Sequence, residues 1–145
     1  MSLWWEKYMG KPWAAVPEPP QSYTCGELVR AILRERCGIE TPEVLANAAV
    51  LRECVAAMQP DRYGLRPLLA GEQPREYDVA FMMRANMQDH VGIGVATPDG
   101  LVILHCQQGA GVTWDSPAEL LGTGYRRICW YRHRALDDGE AVCRR

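Results

Sequence analysis

Thr24-Cys25-Gly26-Glu27 has the form of a helix capping box, with Thr24 as the N-cap and Glu27 at the third helical position. The spacing predicts that Cys25 is the first residue inside a helix. Unpaired backbone N–H groups and the positive end of the helix dipole gather there, and both favour a thiolate over a thiol. A thiolate is the competent nucleophile, and the same N–H groups can help to stabilise an oxyanion. A structural cysteine that happens to open a helix would have the same local sequence, so Cys25 alone does not decide between the two.

The chain has three histidines, and two of them fall in alternating segments, His90–Val95 and Leu101–Cys106, on either side of Pro98-Asp99-Gly100. The pattern predicts a hairpin turning at Pro98 and Asp99, with Thr97 opposite Gly100 and Gly92 opposite His105. His90 then lies diagonally across from His105, a spacing of ~7–8 Å that long or aromatic side chains can bridge. Glycine opposite His105 leaves room for the two imidazoles to meet. Residues 90, 92, 94, 103 and 105 share one face; Val91, Ile93, Val95, Val102, Leu104 and Cys106 share the other, wholly apolar one. A slip of one residue in the turn would separate the histidines, leaving two surface histidines on a polar strand face.

Together these residues suit acyl chemistry. Cys25 attacks an acyl carbon, His90 takes the thiol proton and returns it to the leaving amine, and His105 orients the base. The same three ligand types suit zinc, but a helix-start cysteine beside a base fits nucleophilic catalysis better. Neither a metal nor another cofactor is expected.

The elements that must position these side chains are legible in outline. Pro17-Glu18-Pro19-Pro20 reads as an extended segment. Leu28, Val29, Ile32, Leu33 and Cys37 recur with helical period, and Gly38 ends the run. Thr41-Pro42 opens a second expected helix through Val44, Leu45, Ala48, Leu51, Val55 and Met58, stopping at Pro60. After Gly71 the period becomes alternating: Asp78 to Met83 reads as a buried strand, followed by the hairpin. Ser116-Pro117-Ala118-Glu119 caps one short helix, and Tyr125 to Tyr131 is a last aromatic-rich strand. Helices first and strands after predict an α+β fold, with N-terminal helices packed on one face of a small antiparallel sheet. The expected domain spans residues 1–145, with a flexible tail from about residue 135.

Composition narrows the function classes. The 145 residues are 48% hydrophobic and 23% charged, a globular balance sufficient for one core. With a net charge of −2 and scattered basic residues, nucleic acid is not an expected partner. The loose cluster Arg126, Arg127, Arg132, Arg134, Arg144 and Arg145 reads as a solvated tail, as do Asp137, Asp138 and Glu140. No segment reaches the ~18 apolar residues of a membrane span, and the first residues lack the pattern of a secretory signal, so synthesis in the cytoplasm is expected. Six dispersed cysteines without a CxxC pair read as thiols, with Cys37, Cys106 and Cys129 as small buried hydrophobes. Trp4, Trp5, Trp13, Trp114 and Trp130 read as packing residues rather than a carbohydrate platform.

Over roughly residues 8 to 131 the chain resembles the NlpC-type family of papain-like bacterial and phage cell-wall cysteine peptidases. The family's Asp-Cys-Ser-Gly-Leu-Val is similar to Thr24-Cys25-Gly26-Glu27-Leu28-Val29, and its His-Val-Gly-Ile is matched in full by His90-Val91-Gly92-Ile93. His105-Cys106 resembles the family's second His, Tyr77-Asp78-Val79-Ala80-Phe81 its strand before the base, and Gly10-Lys11-Pro12-Trp13 its Gly-x-Pro-Tyr. The resemblance implies a papain-like fold and hydrolysis of an amide bond in peptidoglycan stem peptides by Cys25, His90 and His105. It places Trp13 where the family uses a tyrosine near the oxyanion, offering an indole N–H instead. The short form is similar to phage-tail or prophage members, which implies other tail proteins as partners and a virion tail as location. It equally covers a catalytically silent tail-assembly or binding module and a thioester acyltransferase or amidase.

Overall fold

The long helix α1, Cys25–Cys37, forms where both of its ends are chemically specified. The Thr24 hydroxyl accepts a hydrogen bond from the Glu27 N–H at 3.2 Å, satisfying one of the free donors of the first turn. At the other end Gly38 adopts φ 68°. Its N–H donates to the Arg34 carbonyl and that of Ile39 to the Leu33 carbonyl. This is a computed structural model, and it describes residues 3–43, 59–84 and 87–137.

Among the described residues six strands make one sheet: β1 Leu65–Pro67, β2 Val79–Arg84, β3 Met87–Thr97, β4 Gly100–Gln107, β5 Gly111–Asp115 and β6 Arg127–His133. Their order is β1-β6-β2-β3-β4-β5, and every neighbouring pair is antiparallel. The β3–β4 hairpin has the register expected from its turn, from Thr97 opposite Gly100 to Gly92 opposite His105. A short helix α2, Pro117–Gly122, follows β5 and carries the full reciprocal capping box between Ser116 and Glu119. Val79, Phe81, Val91, Ile93, Val95, Val102, Leu104 and Cys106 form the main core with Leu28, Ile32 and Leu33 of α1. Ala80, Met82 and Ile103 meet Leu120 and Tyr125 in a second, smaller cluster.

The sheet dominates, and this overturns the expected papain-like α+β plan with N-terminal helices on a small sheet. The fold is β-rich, with two α-helices among the described residues. Ahead of α1 the described residues carry one 3-10 turn, Glu6–Tyr8. Of the second expected helix, Thr41, Pro42 and Glu43 are not helical, and residues 44–58 lie outside the described residues. Two strands that alternation did not reveal enlarge the sheet. β1 has only three residues and the alternation in β5 only four, Val112 to Asp115; each strand exists because a neighbouring strand supplies its partners.

Of the C-terminal arginines, Arg126, Arg127 and Arg134 are exposed as expected, but Arg132 departs from a solvated cluster. Arg132 is buried, with Nε and Nη2 donating to the Asp78 carboxylate at 2.8 and 2.7 Å and Nη1 to Glu72 at 2.9 Å. Arg66 joins Glu72 to Asp137, and Arg134–Leu136 forms a 3-10 turn, so the chain is bound to the body through residue 137. Residues 138–145, with Asp138, Glu140, Arg144 and Arg145, lie outside the described residues.

Candidate active site

Cys25 opens α1, half-buried, directly after its cap. His90 and His105 arrive from neighbouring strands. Their facing nitrogens, Nε2 of His90 and Nδ1 of His105, lie 2.9 Å apart, with the rings edge to face. Gly92 allows this approach: a Cβ there would stand 2.5 Å from Ile103 Cγ2 and 3.1 Å from the His105 Cβ. His105 is fully buried, and its Nε2 lies 2.8 Å from Oδ2 of Asp115. Asp115 is paired with Ile103 and so sits diagonal to His105, as His90 does on the other side. The three side chains form a line across β3, β4 and β5. Pairing of β3 with β4 reaches Gly92 and His105; beyond it lies a cleft of about 310 Å³ lined by Cys25, His90, Trp13, Gln107, Arg84 and Tyr125. No family model matches the sequence, and no curated protein matches it.

The electrostatics of the cleft follow from its burial. The His90 imidazole is pushed down to about 3, first by desolvation and then by His105 and Arg84. Burial also lowers His105, while the hydrogen bond to Asp115 pulls the other way. Both rings are therefore neutral at pH 7, and each has one donor and one acceptor nitrogen. Tyr125 stacks on His90, with centroids 5.8 Å apart, and the Arg84 guanidinium covers the far ring at 4.6 Å. Asp89 also lines the cleft because a bulge in β3 falls at this point: Met82 faces His90 while Met83 faces Gln88. Its Oδ1 is buried without a hydrogen-bond partner, and desolvation raises its carboxyl. Cys106 differs from Cys25: it is 1% exposed, its thiol donates to the Tyr23 carbonyl, and burial pushes it up to about 12.

The structure thus brings Cys25, His90 and Trp13 to one cleft, with His105 behind His90. Trp13 is held there by its segment. The Tyr23 N–H donates to the Pro12 carbonyl and the Ala14 N–H to the Tyr23 carbonyl, two residues before Cys25. Among the described residues no group of three His, Cys, Asp or Glu side chains is placed to hold a metal ion. Among the described residues, too, no helix is long and apolar enough to cross a membrane. Asp78, at the start of the strand before His90, is fully buried beneath Arg132 and is structural. Sequence reasoning missed Asp115, Arg84, Asp89, Gln107 and Tyr125. The available signal for Asp115 was the short alternation Val112-Thr113-Trp114-Asp115 after a Gly-containing turn, which would have placed it on the histidine face.

Proposed function

We propose that this chain is a cysteine hydrolase that cleaves an amide bond through a thioester. The observation that carries this reading is the convergence on one cleft of a cysteine at a capped helix start and a buried imidazole hydrogen-bonded to a second. Cys25 Sγ forms a bond to the acyl carbon as its proton passes to His90 Nδ1, the nitrogen not engaged with His105. The C–N bond then breaks, and the departing amine takes that proton. Water, deprotonated by the same nitrogen, then attacks the thioester carbon; the C–S bond breaks, the proton returns from His90 to Sγ, and the acid is freed. The Trp13 indole N–H, on the cleft wall, is a candidate donor to the oxyanion.

For the substrate we propose an amide of a peptidoglycan stem peptide, which rests on the motifs around Cys25, His90, His105 and Trp13; a phage or prophage tail is the setting that the family resemblance implies. A second reading, a silent tail-assembly or binding module, draws support from the low basicity of His90, which weakens it as a proton acceptor. The decisive experiment incubates the protein with purified peptidoglycan and assays newly freed amines. The expected result is release of stem-peptide fragments, abolished in Cys25→Ala with the fold intact. An inert protein whose Cys25 also ignores a thiol-directed electrophile would establish the silent module; release that requires an added acceptor amine would establish an acyltransferase.

A further inference from the structure

Asp115 has no role in the proposed chemistry as stated so far, yet it ends the line that begins at the cleft. A carboxylate can only accept hydrogen bonds. At 2.8 Å from Asp115, His105 Nε2 must therefore carry the ring's proton. A neutral His105 then has a bare Nδ1, and the nitrogen facing it at 2.9 Å, His90 Nε2, must be the donor. His90 is left with an unprotonated Nδ1, the form able to take a proton from Cys25. Gln107 does not compete for this geometry. Its amide nitrogen lies 3.2 and 3.3 Å from the two His105 ring nitrogens, and near-equal distances put it over the ring face rather than on either lone pair.

We propose that Asp115 is a positioning residue that sets the tautomers of both histidines and so aims the His90 lone pair into the cleft. The inference rests on the reading of Cys25 and His90 as nucleophile and base. When His90 takes the thiol proton, its Nε2–H still bonds to His105, whose Nε2–H still bonds to Asp115. The positive charge thus forms at one end of a line whose other end is negative. The Asp115 side chain is 28% exposed and precedes the Ser116 cap, so its isosteric replacement leaves the core and the start of α2 unaltered.

The experiment has two readouts. Long-range 1H–15N correlation spectra of the imidazoles at pH 7 should show the Nε2–H form for both His90 and His105. In Asp115→Asn the amide can turn its NH2 toward His105 and reverse the line, so a mixture with Nδ1–H forms is expected. The second readout is the alkylation rate of Cys25 with a thiol-directed electrophile. Reversing the tautomer of a base costs up to ~10⁴-fold where the carboxylate bonds it directly; one imidazole further out we expect a loss of about 10- to 100-fold, restored in part by Asp115→Glu. An Nδ1–H tautomer of His90 in the wild-type protein overturns the inference, and so does Asp115→Asn with unchanged tautomers and alkylation. If instead His90→Ala leaves Cys25 alkylation unchanged, it is the nucleophile–base reading that fails. Should Asp115→Asn unfold, the wild-type spectra alone decide.

Discussion

Burial keeps the His90 imidazole unprotonated far into acid. Its pKa lies near 3 in the folded chain against 6.5 when exposed, so the acceptor nitrogen is available across the neutral range. The acid limb of the pH–rate profile should therefore lie well below 6.5, whether the rate is hydrolysis or Cys25 alkylation. An inflection at 6.5 or above would mean that His90 is solvated during turnover. The same shift acts on stability. Above 6.5 neither folded nor unfolded chain holds the proton; as pH falls from 6.5 toward 3 only the unfolded chain binds it, and stability drops throughout. The urea midpoint should fall over that interval, and His90→Gln should flatten this part of the curve. Cys25, His90 and His105 were legible in the sequence because capping and strand alternation are local rules. Asp115 was not, because its role arises only when β5 pairs with β4 and brings it diagonal to His105.

At the scale of elements the hairpin was readable to the residue, since Pro98-Asp99-Gly100 sets its turn and the apolar face sets its register. Gly92 is where that register meets the chemistry. A methyl group there would meet Ile103 Cγ2 at 2.5 Å and the Leu104 carbonyl oxygen at 2.8 Å; the second is backbone of the paired strand and cannot rotate away. Gly92→Ala should cost about 1–3 kcal/mol, as overpacking does, and should part the two imidazoles. The measurement is chemical denaturation alongside Cys25 alkylation, with Gly122→Ala as control, because an added Cβ at that position meets nothing within 4 Å. Equal behaviour of the two variants would show that β3 and β4 can separate freely at this point. Helical period was as clear as alternation in α1, where Leu28, Ile32 and Leu33 are buried as the pattern required. The fold class was misjudged because β1 and β5 draw their stability from partners distant in the chain rather than from their own composition.

Across the whole molecule, an ion network does what the C-terminal sequence concealed. Arg132, Asp78, Glu72, Arg66 and Asp137 join β6, the start of β2, β1 and the closing turn, with Arg66 first among the groups that hold the Glu72 carboxyl down to about 2. From sequence alone these arginines were indistinguishable from solvated ones; the buried acid that fixes Arg132 comes from residue 78. Arg132→Met strands a buried carboxylate and should cost about 3–5 kcal/mol, and adding Asp78→Asn should recover much of it. Additive losses in a denaturant series would argue that the pair is solvated. At the opposite edge of the sheet, the Gly10 N–H donates to the Val112 carbonyl and the Val112 N–H to the Lys11 carbonyl, both at 2.9 Å. Gly111, at φ 75°, lets this strap lie so close that a Cβ would stand 2.5 Å from the Lys11 oxygen. The strap occupies hydrogen-bonding groups of β5 that would otherwise template another molecule's strand. It also carries Trp13 to the cleft, so releasing it would remove the cleft wall and uncover an adhesive sheet edge in one motion. Opening of the cleft and exposure of the sheet edge are thus a single event in this molecule, set by two hydrogen bonds at one residue.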